Sequence, residues 1–207
     1  VVVADEIHCE LVMPGYEYTP FASLSDETSA ITVTLNSPSK SFNTAGLMQS
    51  NVICSDIEMR RRIDRVINIF EVCEVNPFGP DALVAAYNES EEWLDELNRY
   101  LYDNYLELKR FFAEYMPKIE VLKLEGTYLV WVDISALEFT SDELEAKLRD
   151  EGKVYLNSGT MYGRRAGQGY MRINIACPRS RMIDGLTRMA KVIAPCMEDD
   201  CDMGCPS

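Results

Sequence analysis

Basic residues are scarce in this chain. Twenty Lys and Arg stand against 34 Asp and Glu, a formal charge of −14, and the sequence pI is about 4.5. Nucleic acid and anionic membranes are held by clustered cations, so neither is expected as a main partner. The one basic run, Arg60-Arg61-Arg62, falls in a helical pattern and reads as a solvated face. Long apolar runs are absent too. No stretch approaches the roughly 20 residues that span a bilayer, and the opening residues do not read as a signal peptide, so a cytoplasmic protein is expected. There is one histidine, His8, and no CxxC pair. Without them Cys196, Cys201 and Cys205 of "CMEDDCDMGC" lack the usual company of a metal site, no metal is expected, and the segment reads as a disordered acidic tail. The other four cysteines, Cys9, Cys54, Cys73 and Cys177, sit in apolar strand- or helix-like contexts. They read as buried thiols in a reducing compartment, not as a disulfide framework. The glycines of "GTMYGRRAGQG" (159–169) have no strand–GxGxxG–helix setting, which excludes a Rossmann cradle and leaves a mobile loop.

What the chain does have is a series of short β-branched runs at 1–4, 31–35 and 51–54. Their continuous hydrophobicity predicts strands covered on both faces, as in an α/β sheet. A core-strand pattern that begins at residue 1 suggests a fragment, and open strand edges invite pairing with another chain, so a homodimer is expected. "DIEMRRRIDRVINIF" (56–70) predicts a helix with Asp56 at its N-terminus, broken by "NPFGP" (76–80). Trp93, Leu97, Leu101, Tyr105, Leu108, Phe112 and Tyr115 recur every three or four residues. They predict a long bridging helix, opened by an Asn88–Glu91 capping box and stopped by Pro117. Strands are expected at 119–124, 127–134, 154–157 and 170–176. A helix capped by Thr140 and Glu143 should end at Gly152, and a last helix should run from about Ser180 to Pro195. The domains predicted are 1–100, an incomplete α/β layer; 101–195, a small α+β unit; and 196–207, the tail.

Four residues in three stretches form a chemical constellation. Asp5 and His8 of "ADEIH" end the first strand, Lys40 of "SPSKSFNTAGL" follows the second, and Arg172 lies in "GYMRINIACPRS" on a late strand. Ligands of open α/β sheets collect at the carboxyl ends of strands, where both Asp5 and Lys40 fall. An amine, a carboxylate and hydroxyls in one crevice suit a phosphorylated pyridine aldehyde. Blander readings exist for each: a surface lysine, a strand-end turn, a core histidine, turn serines, a structural ion pair.

"ADEIH", "PSKSFNTAGL", "NPFGPDALVAAY", "EEWLDELNRYLYDN", "EGTYLVWVD" and "GYMRINIACPRS" occur in one order. In that order they resemble the fold-type I pyridoxal-phosphate enzymes, most closely C–S β-lyases of the MalY/PatB type, over residues 1 to about 195. The resemblance implies the C-terminal part of that transferase fold and pyridoxal 5′-phosphate as cofactor. It implies Lys40 as the Schiff-base lysine and proton-transfer group, Asp5 at the pyridinium nitrogen and His8 near the 3′-oxygen. Ser37, and less strongly Ser39, would bind the phosphate, and Arg172 the substrate α-carboxylate. Met48 stands eight residues after the lysine, where many aminotransferases carry a phosphate-binding arginine, a departure that favours the lyase branch. Family members run to about twice this length, and what would stack on and cradle the cofactor has no counterpart here. The function expected is therefore a β-lyase acting on cystathionine or related cysteine S-conjugates, present as a C-terminal half. The alternatives are an aminotransferase, or a fragment inactive without an N-terminal half.

Overall fold

The computed structural model describes residues 1–196. The chain divides into two compact units, Val1–Arg99 and Tyr100–Ser207. In the first, β1 (Val2–Asp5) and β2 (Thr32–Asn36) pair in parallel, Val2 opposite Thr32 and Asp5 opposite Leu35. Parallel neighbours need a crossover, and this one contains α1 (Asp26–Ile31), capped reciprocally by Ser25 and Thr28. β3 (Asn51–Ile53) runs antiparallel on the other side of β2. Thr32, Val33 and Thr34 of the central strand are buried. β1 departs from the expectation of two covered faces: its side chains alternate, and Val3 is 63% exposed.

α2 (Ile57–Ile69) begins where expected, the Asp56 carboxylate accepting a hydrogen bond from the Met59 amide at 2.6 Å. Arg60, Arg61 and Arg62 are all exposed, and Arg61 pairs with Glu58 one turn away. α3 (Gly79–Glu89) follows, with Pro80 in its first turn. Proline is tolerated there because first-turn amides have no intrahelical partner, so "NPFGP" starts a helix and does not, as expected, break one: α2 has already ended at Ile69, with Glu71 turned to a positive φ of 53°. Asn88 lies inside α3, which removes the expected Asn88–Glu91 box. The break falls at Ser90, and α4 spans Glu91–Tyr115.

In the second unit an antiparallel sheet has the order β4-β5-β7-β6. Its strands are β4 (Glu120–Val121), β5 (Leu129–Asp133), β6 (Asn157–Ser158) and β7 (Tyr170–Asn174). Val130, Val132 and Met171 are fully buried on one face, while Trp131 and Arg172 belong to the other. α5 (Ser141–Lys147) carries the expected Thr140–Glu143 capping box and continues through a wider turn to Gly152. α6 spans Arg179–Ile193. The α4 stripe holds at Leu101, Tyr105, Leu108 and Phe112, which are buried, and fails at Trp93 and Tyr115, which are half exposed. Asn104 is fully buried with its amide satisfied: Nδ2 donates to the Ile175 and Cys177 carbonyls, and Oδ1 accepts from Arg179 Nε. Cys9, Cys54, Cys73 and Cys177 are free thiols, but Cys73 is exposed, correcting its expected burial. Cys201 and Cys205 lie outside the described residues. No helix among the described residues is long and apolar enough to cross a membrane.

Candidate active site

The carboxyl ends of β1 and β2 lie side by side because the strands are parallel. The Glu6 amide extends the ladder one step, donating to the Leu35 carbonyl at 2.9 Å. Beyond it the chain turns: Ile7 N donates to Asp5 Oδ1 at 3.3 Å, and Leu11 N to the His8 carbonyl at 3.0 Å. Asp5 is exposed at the strand end, and His8 is half-buried in the turn that follows.

After β2 the Ser37 hydroxyl, 2% exposed, donates to the Gln49 carbonyl at 2.6 Å and accepts from the Ser39 amide at 3.1 Å. Phe42 N donates to the Pro38 carbonyl at 2.9 Å. These bonds fold 37–42 into a tight turn carrying half-buried Lys40. Neither the Lys40 amine nor the Ser39 hydroxyl has a hydrogen bond or ion pair among the described residues. The Ser37 proton, by contrast, is committed to the backbone, and binding a phosphate through it would mean breaking that bond.

A polar clamp that sequence reasoning missed ties the two loops together. Ser41, next to the lysine and fully buried, donates to Glu10 Oε2 at 2.7 Å. Tyr87 of α3 places one phenolic proton between Asn36 Oδ1, at 2.7 Å, and Glu10 Oε1, at 3.1 Å. Asn36 Nδ2 donates to Cys9 Sγ at 3.2 Å, Asn98 Nδ2 to the Glu10 carbonyl at 3.0 Å, and Trp93 Nε1 to the Ser41 carbonyl at 3.3 Å. Burial pushes the Cys9 thiol up to about 12, the Glu10 charge adding to the effect. The same two causes raise the Tyr87 phenol above its ordinary value. Both groups therefore stay protonated and serve as hydrogen-bonding struts. Nothing local announces them, because Tyr87 and Glu10 are 77 residues apart.

Arg172 belongs to the second unit, on β7, half-buried, with its guanidinium carbon 4.2 Å from the Tyr162 ring centre. The glycine loop beside it is tied down more firmly than its composition suggests. Asp142 accepts from the Ser158 and Thr160 hydroxyls, each at 2.5 Å. The Ser141 hydroxyl donates to the Gly167 carbonyl and accepts from the Gly169 and Tyr170 amides. Gly159 and Gly167 face one another so closely that a Cβ on either would overlap backbone of the other.

A lysine amine without a partner among the described residues, in a turn past a parallel strand, and a carboxylate at the end of the neighbouring strand suit an aldehyde-bearing, protonatable ring. The donor set thus fits the aldehyde and ring-nitrogen ends of pyridoxal phosphate, and Ser39 offers a hydroxyl for the phosphate.

Comparison with known proteins gives a consistent picture. The profile of the aminotransferase class I and II family matches residues 1–188. Cystathionine beta-lyase PatB of Bacillus subtilis strain 168 is 39% identical over 193 residues, 93% of this chain and 50% of that protein. A cystathionine beta-lyase of Corynebacterium glutamicum is 32% identical, again over 93% of this chain and 50% of the relative. The crystal structure of cystalysin from Treponema denticola, which contains pyridoxal 5′-phosphate, superposes with a TM-score of 0.89 at 33% identity, covering 93% of this chain and 49% of that one. The chain thus spans about half the length of the relatives it matches.

Proposed function

The chain belongs to the aminotransferase class I and II family, and from that premise we propose that it is part of a pyridoxal-phosphate-dependent C–S β-lyase. Its substrates are cystathionine or related cysteine S-conjugates, and its products a thiol, pyruvate and ammonia. The observation that carries this reading is the half-buried Lys40 amine, which has no partner among the described residues, beyond a strand parallel to the one that ends in Asp5. The likeness to PatB supports the choice of branch.

In this reading Lys40 holds the cofactor's aldehyde carbon and, once displaced by substrate, takes the proton from the substrate Cα. Asp5 keeps the ring nitrogen protonated, His8 serves the 3′-oxygen, and Ser39 before Ser37 serves the phosphate. Arg172 takes the α-carboxylate through a bidentate pair that lysine cannot reproduce. The cofactor, when bound, would supply an electron sink that stabilises negative charge at Cα; that electron pair then forms the Cα–Cβ double bond as the thiolate leaves Cβ. The protein is read as a cytoplasmic homodimer, with no nucleic-acid or membrane partner.

The direct test is the yellow absorbance of a lysine-bound pyridoxal group, which should form on adding the cofactor and be lost in Lys40→Ala. A band that survives Lys40→Ala removes the assignment. The family's name favours a second reading, an aminotransferase using the same residues. Pyruvate and ammonia released without a keto-acid acceptor identify the lyase; turnover that requires the acceptor identifies the transferase. Because the chain spans half the length of its relatives, a chain that binds no cofactor while the full-length protein does would mark it as an inactive piece.

A further inference from the structure

Trp131 on β5, Arg172 on β7 and Asn157 on β6 are register partners, forming one row across the second sheet. Register partners share a face, here the one opposite buried Val130, Val132 and Met171. Tyr162 covers this row from the short turn Gly159–Tyr162. Its ring lies 4.2 Å from the Arg172 guanidinium carbon and meets the Trp131 ring edge-on at 5.4 Å and 84°, and its hydroxyl accepts from Asn157 Nδ2 at 2.8 Å. Every member of the row touches the tyrosine. Tyr162 is nevertheless 48% exposed, so it is no core packing residue. The turn that carries it is anchored by Asp142 of α5, which accepts from Ser158 at its cap and from Thr160 within it. Arg172 has no hydrogen bond or ion pair among the described residues.

We propose that Tyr162 is the positioning residue for Arg172, holding its guanidinium flat so that the N–H fork is presented edge-on to a carboxylate. The inference rests on reading Arg172 as the group that takes the substrate carboxylate, and it deepens that reading. A guanidinium held flat against the ring has one face closed and its in-plane donors open, the geometry a carboxylate needs for two parallel hydrogen bonds. An arginine already fixed has less rotamer freedom to lose on binding, so the gain is in ground-state affinity for amino acids. Trp131 backs the edge of the tyrosine ring, and the Asn157 bond to its hydroxyl is an accessory contact; the ring itself is what holds Arg172.

Three substitutions in the cofactor-loaded protein test this, with a second measurement that needs no turnover. The second is the Arg172 side-chain N–H resonance in 15N-arginine-labelled protein, identified by its loss in Arg172→Lys. Ring current from Tyr162 should shift it upfield. Tyr162→Phe should keep both the shift and the KM near wild type. Tyr162→Leu should abolish the shift and raise KM for the amino acid about tenfold, with kcat held within about twofold. If Tyr162→Leu leaves the resonance and KM in place while Arg172→Lys raises KM, the positioning role is wrong and the carboxylate role of Arg172 stands. If Arg172→Lys leaves KM unchanged, the underlying reading of Arg172 fails whatever Tyr162 does.

Discussion

Glu10 gathers more of the first unit than any residue singled out by its chemistry. Its carboxylate receives Ser41 and Tyr87 and its carbonyl receives Asn98, so it ties the turn after β1 to the lysine loop and two helices. Cys9 reports on this arrangement. Burial, then the neighbouring Glu10 charge, pushes its thiol up to about 12, while Cys73 is exposed. Thiolate is the reacting form, so iodoacetamide at mildly alkaline pH should label Cys73 well before Cys9, read by mass spectrometry of the peptides. Glu10→Gln should speed Cys9 only modestly, because burial is the larger cause. Equal labelling of the two in the wild type would mean that the clamp is open in solution. The sign for stability also follows. A thiol raised in the folded state is favoured folded only while protonated, so its contribution fades as pH climbs above the ordinary thiol value of 9.0.

At the scale of elements, what could be read from sequence was what is decided locally. Asp56 and Thr140 were legible because a cap needs only a short polar side chain three residues before the amide it satisfies. α1 was not legible, its six residues being too few to show a helical period. α3 was hidden by a proline that marks a start as readily as a stop. Lys40 and Asp5 stood out because strand ends can be inferred from a run of apolar residues. Tyr87 and Tyr162 did not, because cross-chain partners define them. The cap on α5 makes a test at this scale. The Thr140 amide and hydroxyl hold the exposed Glu143 carboxylate below its ordinary 4.5. A carboxylate depressed in the folded state stabilises above its unfolded value, and that contribution is lost as pH falls through the folded one. Urea unfolding of the second unit should therefore show this acid-side slope in wild type and lose it in Glu143→Gln. Thr140→Ala should cost about 1 kcal/mol at neutral pH. An unchanged slope in Glu143→Gln would mean that the box does not form.

Over the whole molecule, burial is distributed unevenly. Among the largest fully buried side chains of the described residues, only Leu11 and Met13 lie in the first unit; Leu101, Leu108, Phe112, Met116, Ile134, Leu144, Leu148, Met171, Ile175 and Met189 all lie in the second. The first unit instead exposes Val3, Val52, Ile53, Ile69, Phe70 and Phe78. It also carries an apolar groove of about 680 Å³ lined by Val3, Val33, Leu35, Met59, Ile63 and Ile67. Hydrophobic stabilisation scales with apolar area removed from water, so the two units should differ in local stability although one helix runs through both. Native-state hydrogen exchange in rising urea separates them. Amides of β1, β2 and α2 should lose protection at lower urea than those of β5, β7 and α6, and a single unfolding midpoint would then be ill-defined. The lysine loop is built on the weaker unit. A bound cofactor should accordingly raise protection around residues 32–41 by mass action and leave β7 nearly unmoved. Loss of protection in all elements at one urea concentration would show instead that the second unit's core governs the stability of the first.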